Sequence, residues 1–463
     1  MLRIVTLLAL AVLPAAGQDF DSRFAAIVRD ATPGELYSFL WALPKGGDLH
    51  HHFGLSVPAD VWLAYATDPV HTRGNAFYTR LKFDSCPGDN EPLIRFRNIQ
   101  RSTWQALSDC RRAEYTPLAA LTGPQRAAWL SSLKIDQPGE GRNEFFDVIV
   151  PRMGEMDKDP NLLGDAMAEA LKRMAAQGVR YLETQVTPVT WIAQDGRRLS
   201  PDEGVDVVRA VLNRPGVKAT GIQVRFLYSL LRFRPDSEQM LEFAYRFVDR
   251  HRDLWKGINL VGREDNDKGY PLRFLETFRR MRRQYPDIHL SIHAGEKDSP
   301  GREVRDTLLL GAERIGHGVN LITDPDTLLL ARSGKFLVEI QLISNKLLEY
   351  TPDLSLHPFP EYLRTGIPVC LNTDDAMAWD SNLTDEYYTA LTTFHLSWEE
   401  IVQLGRNSLT YSFAEPPLKR ELLAGYDAAI ESFEKRMSGD WRAALRDVNA
   451  QPSGYAVRTF GLR

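Results

Sequence analysis

Short runs of apolar and β-branched residues recur along the chain, and most are separated by stretches with helical spacing. Alternation between the two patterns is typical of a parallel (β/α)8 TIM barrel of the α/β class. The predicted strands are residues 48–52, 179–186, 222–230, 257–261, 288–293, 314–319, 336–340 and 367–373. The predicted helices between them are residues 162–176, 204–212, 237–250, 272–284 and 324–331.

A doubly wound open sheet is the alternative architecture for this pattern. In such folds a glycine-rich turn commonly joins the first strand to the following helix and binds a dinucleotide. No such turn follows residues 48–52. The pattern therefore favours the barrel.

The chain has 463 residues, whereas a barrel alone needs about 250. The alternation of predicted strands and helices is interrupted once, by the polar and turn-rich residues 55–161. We interpret this segment as an insertion after the first strand that forms a cap or small subdomain. Helical spacing also predicts an N-terminal helical segment at residues 18–44 and further helices from residue 397 onward. The barrel with its insertion and C-terminal helices is expected over residues 45–463.

Residues 1–17 have the features of a secretory signal peptide. One positive charge at Arg3 precedes an apolar run and small residues, with cleavage expected after Gly17. The apolar run is shorter than the roughly 20 residues that a membrane anchor needs. A buried N-terminal helix is the alternative. We expect an exported protein, periplasmic or extracellular, with no membrane segment after cleavage.

Composition and charge narrow the classes of partner. The 56 Lys and Arg against 61 Asp and Glu give a net charge of −5, which argues against nucleic-acid binding.

Three cysteines are too few for a disulfide scaffold. Export permits a disulfide, and we expect Cys86 and Cys110 to form it, with two unpaired thiols as the alternative. Cys370 lies in an apolar run and is expected to be a small buried side chain.

Four polar clusters lie at the ends of predicted strands, the end of a barrel that carries catalytic residues. Alternation along the first strand places His50 and His52 on one face and His51 on the other. The other clusters follow later strands and contain His293 with Glu296, His317 between two glycines, and the pair Asp374-Asp375. Adjacent carboxylates on an apolar strand are costly unless a cation compensates one of them.

Residue types suggest a division of roles. His50, His52, His293 and Asp374 supply three nitrogens and one carboxylate oxygen, a set suited to Zn²⁺ with one position left for water. Zinc lowers the pKa of such a water towards about 7, which provides hydroxide at neutral pH. Glu296, His317 and Asp375 remain for proton transfer. This chemistry suits hydrolytic attack on a polarised C=N or C=O carbon.

Taken together, these motifs resemble the adenosine deaminase family. They occur in the family's order from Lys45 to Phe413: Lys45 with residues 48–52, Gly257 to Gly262, His293 to Glu296, Arg314 to Gly318, Glu339 with Ser344-Asn345, Thr373 to Asp375, and Asn407-Ser408 with Ser412-Phe413. The signal peptide and the insertion further resemble the secreted branch, the adenosine-deaminase-related growth factors.

The resemblance implies zinc-dependent deamination of adenosine or 2′-deoxyadenosine, with one zinc ion per chain and a purine nucleoside as the small-molecule ligand. Zinc hydroxide would attack purine C6 while Glu296 donates a proton to N1. His317 would orient the water and help to deprotonate it, and Asp375 would hold the water and the N7 side of the ring. Gly262 would donate its backbone N–H to N3.

Three departures from the family pattern stand out. Gly54 lies where many relatives carry an Asp that touches a ribose hydroxyl, so recognition of the sugar should come from elsewhere, with the insertion as a candidate. Gln341-Leu342 replaces a Cys-Pro pair, and Ala376 replaces a Pro. Because the last two positions adjoin strand ends and are not ligands, we expect the zinc chemistry to be retained.

Two alternative functions remain at this level. A deaminase of AMP or another 6-aminopurine would need cations near the 5′ position, for which the candidates are arginines 95, 97, 101, 111 and 112. These arginines also fit a solvated surface. An inactive extracellular binding protein is less favoured, because all seven site residues are present. The sequence leaves a homo-oligomer open.

Overall fold

A computed structural model describes residues 16–87, 92–297 and 299–462. Its largest sheet has eight strands in chain order, each pairing in parallel with the next, and together they form a nearly closed TIM barrel. We number them β1 to β8: Gly46–His52, Val179–Gln185, Gln223–Leu231, Trp255–Val261, His289–Ala294, Arg314–His317, Leu337–Ile340 and Val369–Leu371. The predicted fold class is confirmed.

Side chains complete the junction between β1 and β8. One parallel bridge joins His51 to Asp374. Asp48 in β1 accepts hydrogen bonds at Oδ2 from the backbone N and Oγ1 of Thr373, at 3.2 and 2.6 Å. The backbone N of Leu49 donates to Oδ1 of Asn372 at 2.9 Å. Asp48, which belongs to the motif at residues 48–52, therefore helps to close the barrel between β1 and β8.

Two predicted strands extend too far. The strand predicted at residues 314–319 ends at His317, because Gly318 has a φ of +60° and turns the chain into the 3-10 helix Val319–Thr323. The strand predicted at residues 367–373 is only Val369–Leu371. Both strands end close to a site residue: His317 is the last residue of β6, and Asp374 lies three residues after β8.

Helices follow the strands as expected, with small shifts at their ends. Those between the strands are Pro160–Ala176, Pro201–Leu212, Pro215–Lys218, Ser237–Arg250, Leu275–Gln284, Glu303–Leu310, Pro325–Ala331, Leu342–Leu347 and Phe359–Arg364. After β8 come Ala376–Trp379, Leu383–Phe394, Trp398–Thr410, Pro416–Ser438, Trp441–Leu445 and Gly454–Phe460. The predicted helix at residues 272–284 begins at Leu275, after a 3-10 turn.

Residues 55–161 contain an antiparallel sheet of the strands Phe77–Arg80, Asn98–Gln100 and Tyr115–Pro117. The helices of this segment are Ala59–Thr67, Pro69–Thr72, Arg101–Ala106, Asp109–Arg112, Gly123–Ser131, Arg142–Glu144 and Val150–Met153, with π-helical Phe145–Ile149. A disulfide joins Cys86 to Cys110, and Cys370 is a buried free thiol, as predicted. Trp62 and Trp129 pack into the same apolar cluster as the barrel strands. The insertion therefore shares the barrel's core.

Two N-terminal helices, Ala16–Asp30 and Pro33–Ala42, pack against the helices that follow β8. The ring centroid of Phe24 lies 5.3 Å from that of Trp398 in the C-terminal part. Lys45 is buried, and its Nζ donates to the carbonyls of Leu40 and Gln177. Lys45 therefore links the helix Pro33–Ala42 to the barrel, and it is not among the residues predicted to bind metal or transfer protons.

The expected signal peptide, residues 1–17, lies almost entirely outside the described residues. Within the described ranges, every helix is too short or too polar to cross a bilayer.

Candidate functional site

Four side chains predicted as metal ligands converge at the C-terminal mouth of the barrel. Nε2 of His293 lies 3.0 Å from Nε2 of His50 and 3.2 Å from Nε2 of His52. Oδ1 of Asp374 lies 3.5 and 3.2 Å from the same two nitrogens of His50 and His52. Residues 50–52, 293 and 374 come from β1, β5 and the turn after β8, so distant parts of the chain meet at one point.

Hydrogen bonds orient two of these rings for a cation. Nδ1 of His50 lies 2.7 Å from Oε2 of Glu339, and Nδ1 of His293 lies 2.8 Å from Oδ1 of Asn259. In a neutral imidazole that donates through Nδ1, Nε2 carries only a lone pair. With both rings neutral, the Nε2 atoms of His50 and His293 present two lone pairs to each other, an arrangement that a cation between them stabilises. The donor set of three imidazoles and one carboxylate fits zinc.

His51 points the other way, as the alternation of side chains along the strand predicts. Its Nδ1 lies 2.8 Å from Oγ1 of Thr184 on β2. The three consecutive histidines thus divide into two that face the site and one that stabilises the neighbouring strand.

The backbone is left-handed at two non-glycine site residues. Asp374 has a φ of +58° and His317 a φ of +67°. Such conformations cost free energy for residues with a Cβ and cluster at functional sites. The backbone N of Asp374 donates to the carbonyl of His50, and its carbonyl accepts from the backbone N of His52. Pairing with β1 therefore holds Asp374 in this conformation.

Glu296 is buried in the turn after β5, and Nε2 of His317 lies 3.5 Å from its Oε1. Burial raises the pKa of Glu296 well above its usual value, and the negative charges of Asp374 and Glu264 raise it further. Burial likewise raises the pKa of Asp375, with the charges of Asp374 and Glu296 next in importance. Two carboxyl groups that favour the protonated form thus lie beside the ligand cluster.

Gly262 follows β4 directly and has a φ of +94°. A Cβ at this position would lie 2.6 Å from Cε1 of Phe233, so no larger residue fits without a shift. Position and conformation are compatible with a backbone N–H exposed to a ligand, as the motif suggested.

An ion pair behind the site was not predicted from the sequence. Arg232 and Glu264 are both buried, and Nη1 of Arg232 donates to Oε1 of Glu264 at 2.8 Å. Oε2 of Glu264 accepts from the backbone N of Glu296 at 2.7 Å, while Nη2 of Arg232 donates to the carbonyl of His293. The pair holds both ends of the segment from His293 to Glu296. The only sequence indication of this pair is position: Arg232 directly follows β3, and Glu264 lies two residues after Gly262.

A carboxyl group from the insertion lies beside Gly54. Oδ2 of Asp157 is 3.3 Å from the point where a Cβ at Gly54 would lie. Oδ1 of Asp157 is shielded from solvent and has no hydrogen-bond partner among the described residues. Burial raises the pKa of Asp157. The structure thus places a carboxyl of the insertion beside Gly54, from a segment about 100 residues later in the chain.

Known proteins resemble this chain in sequence and in fold. Two curated relatives are adenosine deaminases: that of Enterococcus faecalis is 31% identical over 267 residues, covering 57% of this chain and 75% of its own. That of Phlebotomus duboscqi is 28% identical over 443 residues, covering 90% and 82%. A solved amidohydrolase of Burkholderia ambifaria with bound zinc shares the fold, with a TM-score of 0.62, 20% identity and coverage of 87% and 95%.

The sequence model of the family named Adenosine deaminase matches residues 156–429, more than half of the chain. Relatives of this kind are hydrolases that act on C–N bonds, and the match supports deamination of a 6-aminopurine. The family is metal-dependent, in agreement with the His and Asp cluster. The chain belongs to the adenosine deaminase family.

Proposed function

We propose that this chain hydrolyses the C6–N bond of adenosine or 2′-deoxyadenosine to give inosine or 2′-deoxyinosine and ammonia. One zinc ion per chain would be held by His50, His52, His293 and Asp374. The observation that carries the proposal is the convergence of these four ligating atoms beside the buried carboxyl of Glu296.

Each site residue has a role that its surroundings support. When bound, zinc supplies Lewis acidity that lowers the pKa of water. Glu296 retains a proton at neutral pH because its pKa is raised, and it donates that proton to N1 as water oxygen adds to C6. The backbone N–H of Gly262 donates to N3, and Asp375 contacts the water and the N7 side of the ring. The two protons of the water complete the balance: one reaches the amine, which leaves as ammonia, and the other restores the proton on Glu296, while the oxygen remains on C6.

Asp157 favours a nucleoside over a nucleotide in this proposal. The resemblance places a sugar hydroxyl near position 54, and the Asp157 carboxyl lies beside that position with an unused oxygen. A carboxylate accepts a hydrogen bond from a hydroxyl, whereas it repels a phosphate of the same charge. The inserted segment thus supplies the sugar contact that Gly54 cannot make.

AMP remains the second candidate substrate, and it would need cations near its phosphate. Among the arginines considered for this role, Arg111 pairs with Glu114 at 3.0 Å and Arg112 pairs with Asp109. These acidic partners reduce the positive charge available to a phosphate. The pairings therefore favour the uncharged sugar.

A substrate panel on purified, zinc-loaded protein tests the function. We expect amine release, as methylamine from N6-methyladenosine and as ammonia from the other substrates, to be fastest from adenosine or 2′-deoxyadenosine and slower from AMP, adenine and N6-methyladenosine. A clear preference for AMP would reverse the order of the two candidates. Stoichiometric zinc with no release from any aminopurine would support the inactive binding protein.

The Asp157→Asn variant tests the sugar contact within the same assay. We expect kcat/KM for adenosine to fall by about tenfold or more, the order of one charge-assisted hydrogen bond, while turnover of adenine is little changed. Asp60→Asn, at an exposed position of the same insertion, is the matched control. An equal loss on both substrates would exclude a specific contact with the sugar.

We also propose that the protein is exported, as its N-terminal sequence predicts. Expression of the full chain in a secreting host, followed by N-terminal sequencing, is expected to yield material that begins at Gln18. Retention of Met1 in a cell-associated protein would contradict this proposal.

A further inference from the structure

A chain of hydrogen bonds connects a backbone amide to His317 through two side chains. The backbone N of Phe359 lies 3.1 Å from Nδ1 of His357. A backbone amide can only donate, so Nδ1 of His357 is the acceptor and carries no proton. His357 is buried, and burial lowers its pKa to about 3, which keeps the ring neutral. Its single ring proton is therefore on Nε2.

The proton on His357 fixes the amide of Asn345. Nε2 of His357 lies 3.1 Å from Oδ1 of Asn345 and donates to it. With its oxygen turned to His357, Asn345 turns its NH2 group to His317, where Nδ2 lies 3.1 Å from Nδ1. The opposite orientation of the amide would place two donors against each other at His357. The donor on His357 thus determines which end of the Asn345 amide is oxygen and which is nitrogen.

The same logic extends to His317. Its Nδ1 accepts from Asn345 and so carries no proton, while a histidine ring always keeps at least one proton. The neutral ring therefore carries its proton on Nε2. This atom faces the site, 3.5 Å from Oε1 of Glu296, and has no hydrogen-bond partner in the described part of the chain.

We propose that His357 is a positioning residue that acts through Asn345 to hold His317 as the Nε2–H tautomer. His317 then presents a hydrogen-bond donor to the water oxygen that attacks C6, and it does not act as a base. A ring nitrogen that already carries a proton has no lone pair with which to take another. This differs from the role in deprotonating water that the family resemblance implies. The tautomer of His317 follows from the hydrogen bonds alone, whereas its contact with the attacking water rests on the proposed function.

Nitrogen NMR of the zinc-loaded protein labelled with ¹⁵N-histidine tests the assignment directly, since protonated and unprotonated ring nitrogens resonate far apart. Comparison with His317→Gln identifies the signals of His317. We expect a protonated Nε2 and an unprotonated Nδ1 in the wild type at pH 7. A proton on Nδ1 would overturn the proposal even if His357 variants fail to fold. This readout needs no substrate, so it is independent of the proposed activity.

Kinetics of His357 variants test the consequence. In His357→Leu, Asn345 is free to rotate, and we expect kcat to fall by about tenfold or more with KM and zinc content little changed. His357→Gln places an amide N–H near the original Nε2 and should recover most of the loss. His251→Leu, a buried histidine at the end of the helix Ser237–Arg250, controls for loss of an imidazole from the core. Equal kcat in His357→Leu and the wild type would contradict the proposal, as would the absence of recovery in His357→Gln.

Discussion

Nε2 of His50 lies 3.0 Å from Nε2 of His293, and each ring uses its Nδ1 for another hydrogen bond. Two imidazole lone pairs at this separation repel each other unless a cation or a proton lies between them. The barrel holds both rings in place through Glu339 and Asn259, so the folded chain keeps the two nitrogens at a separation that favours a cation between them. Metal binding and folding stability should therefore be linked.

Removal of the metal is expected to lower the melting temperature. An ion that binds only the native state stabilises it by about 4 kcal/mol when its free concentration is 1,000 times Kd. We expect a chelator to lower Tm and added zinc to restore it, as measured by calorimetry with metal analysis. His52→Ala should lose zinc and show little response to the chelator. His289→Ala, at the opposite end of β5, should keep its zinc and its response to the chelator, because His289 pairs with Glu313 away from the site.

Substitution of Glu296 by Gln tests its role as the proton donor. An amide does not donate to N1 as a carboxylic acid does, so kcat should fall by about 10²-fold or more. Because Glu296 is not among the four proposed ligands, zinc content should be unchanged. Glu303→Gln, on the following helix, is the control. Turnover like that of the wild type would show that another group donates the proton.

The Arg232 and Glu264 pair should matter for both stability and turnover. In Glu264→Gln the guanidinium stays buried without its charge partner, which typically costs about 3–5 kcal/mol in the free energy of unfolding. Glu296 would also lose an anionic acceptor for its backbone N–H, so kcat should fall with it. Urea unfolding and turnover measure the two effects. Glu276→Gln removes the partner of an exposed pair with Arg279 and should cost less than about 1 kcal/mol. Similar losses in the two variants would contradict this role of the pair.

Sequence patterns identified the barrel because its strands are short apolar runs, and four of these runs end in a polar motif. They could not show the backbone conformation of His317 and Asp374, which depends on neighbouring strands. The helix Glu303–Leu310 was also missed. The helix ends in three consecutive leucines, and one of them, Leu309, is exposed. Its apolar residues therefore do not follow the helical spacing of a single buried face.

Pairs distant in sequence were the least predictable part of the site. Arg232 and Glu264 are ordinary charged residues until the fold buries them together. Asp157 becomes relevant only because its turn packs against Gly54. The chain of hydrogen bonds from His357 to His317 likewise depends on Asn345, whose helix Leu342–Leu347 brings its amide between His357 and the end of β6. Local spacing carries no information on such contacts.

The disulfide between Cys86 and Cys110 should stabilise the chain with little effect on chemistry. The bond spans 24 positions, and closing a loop of this size in the unfolded chain is worth about 3 kcal/mol in the entropic model. We expect Cys86→Ser/Cys110→Ser to unfold at lower urea concentration while kcat/KM is largely retained, because neither cysteine belongs to the site. Thiol titration of the denatured wild type should find only Cys370 without a reductant and all three cysteines after reduction. Three reactive thiols in unreduced protein would show that the bond does not form.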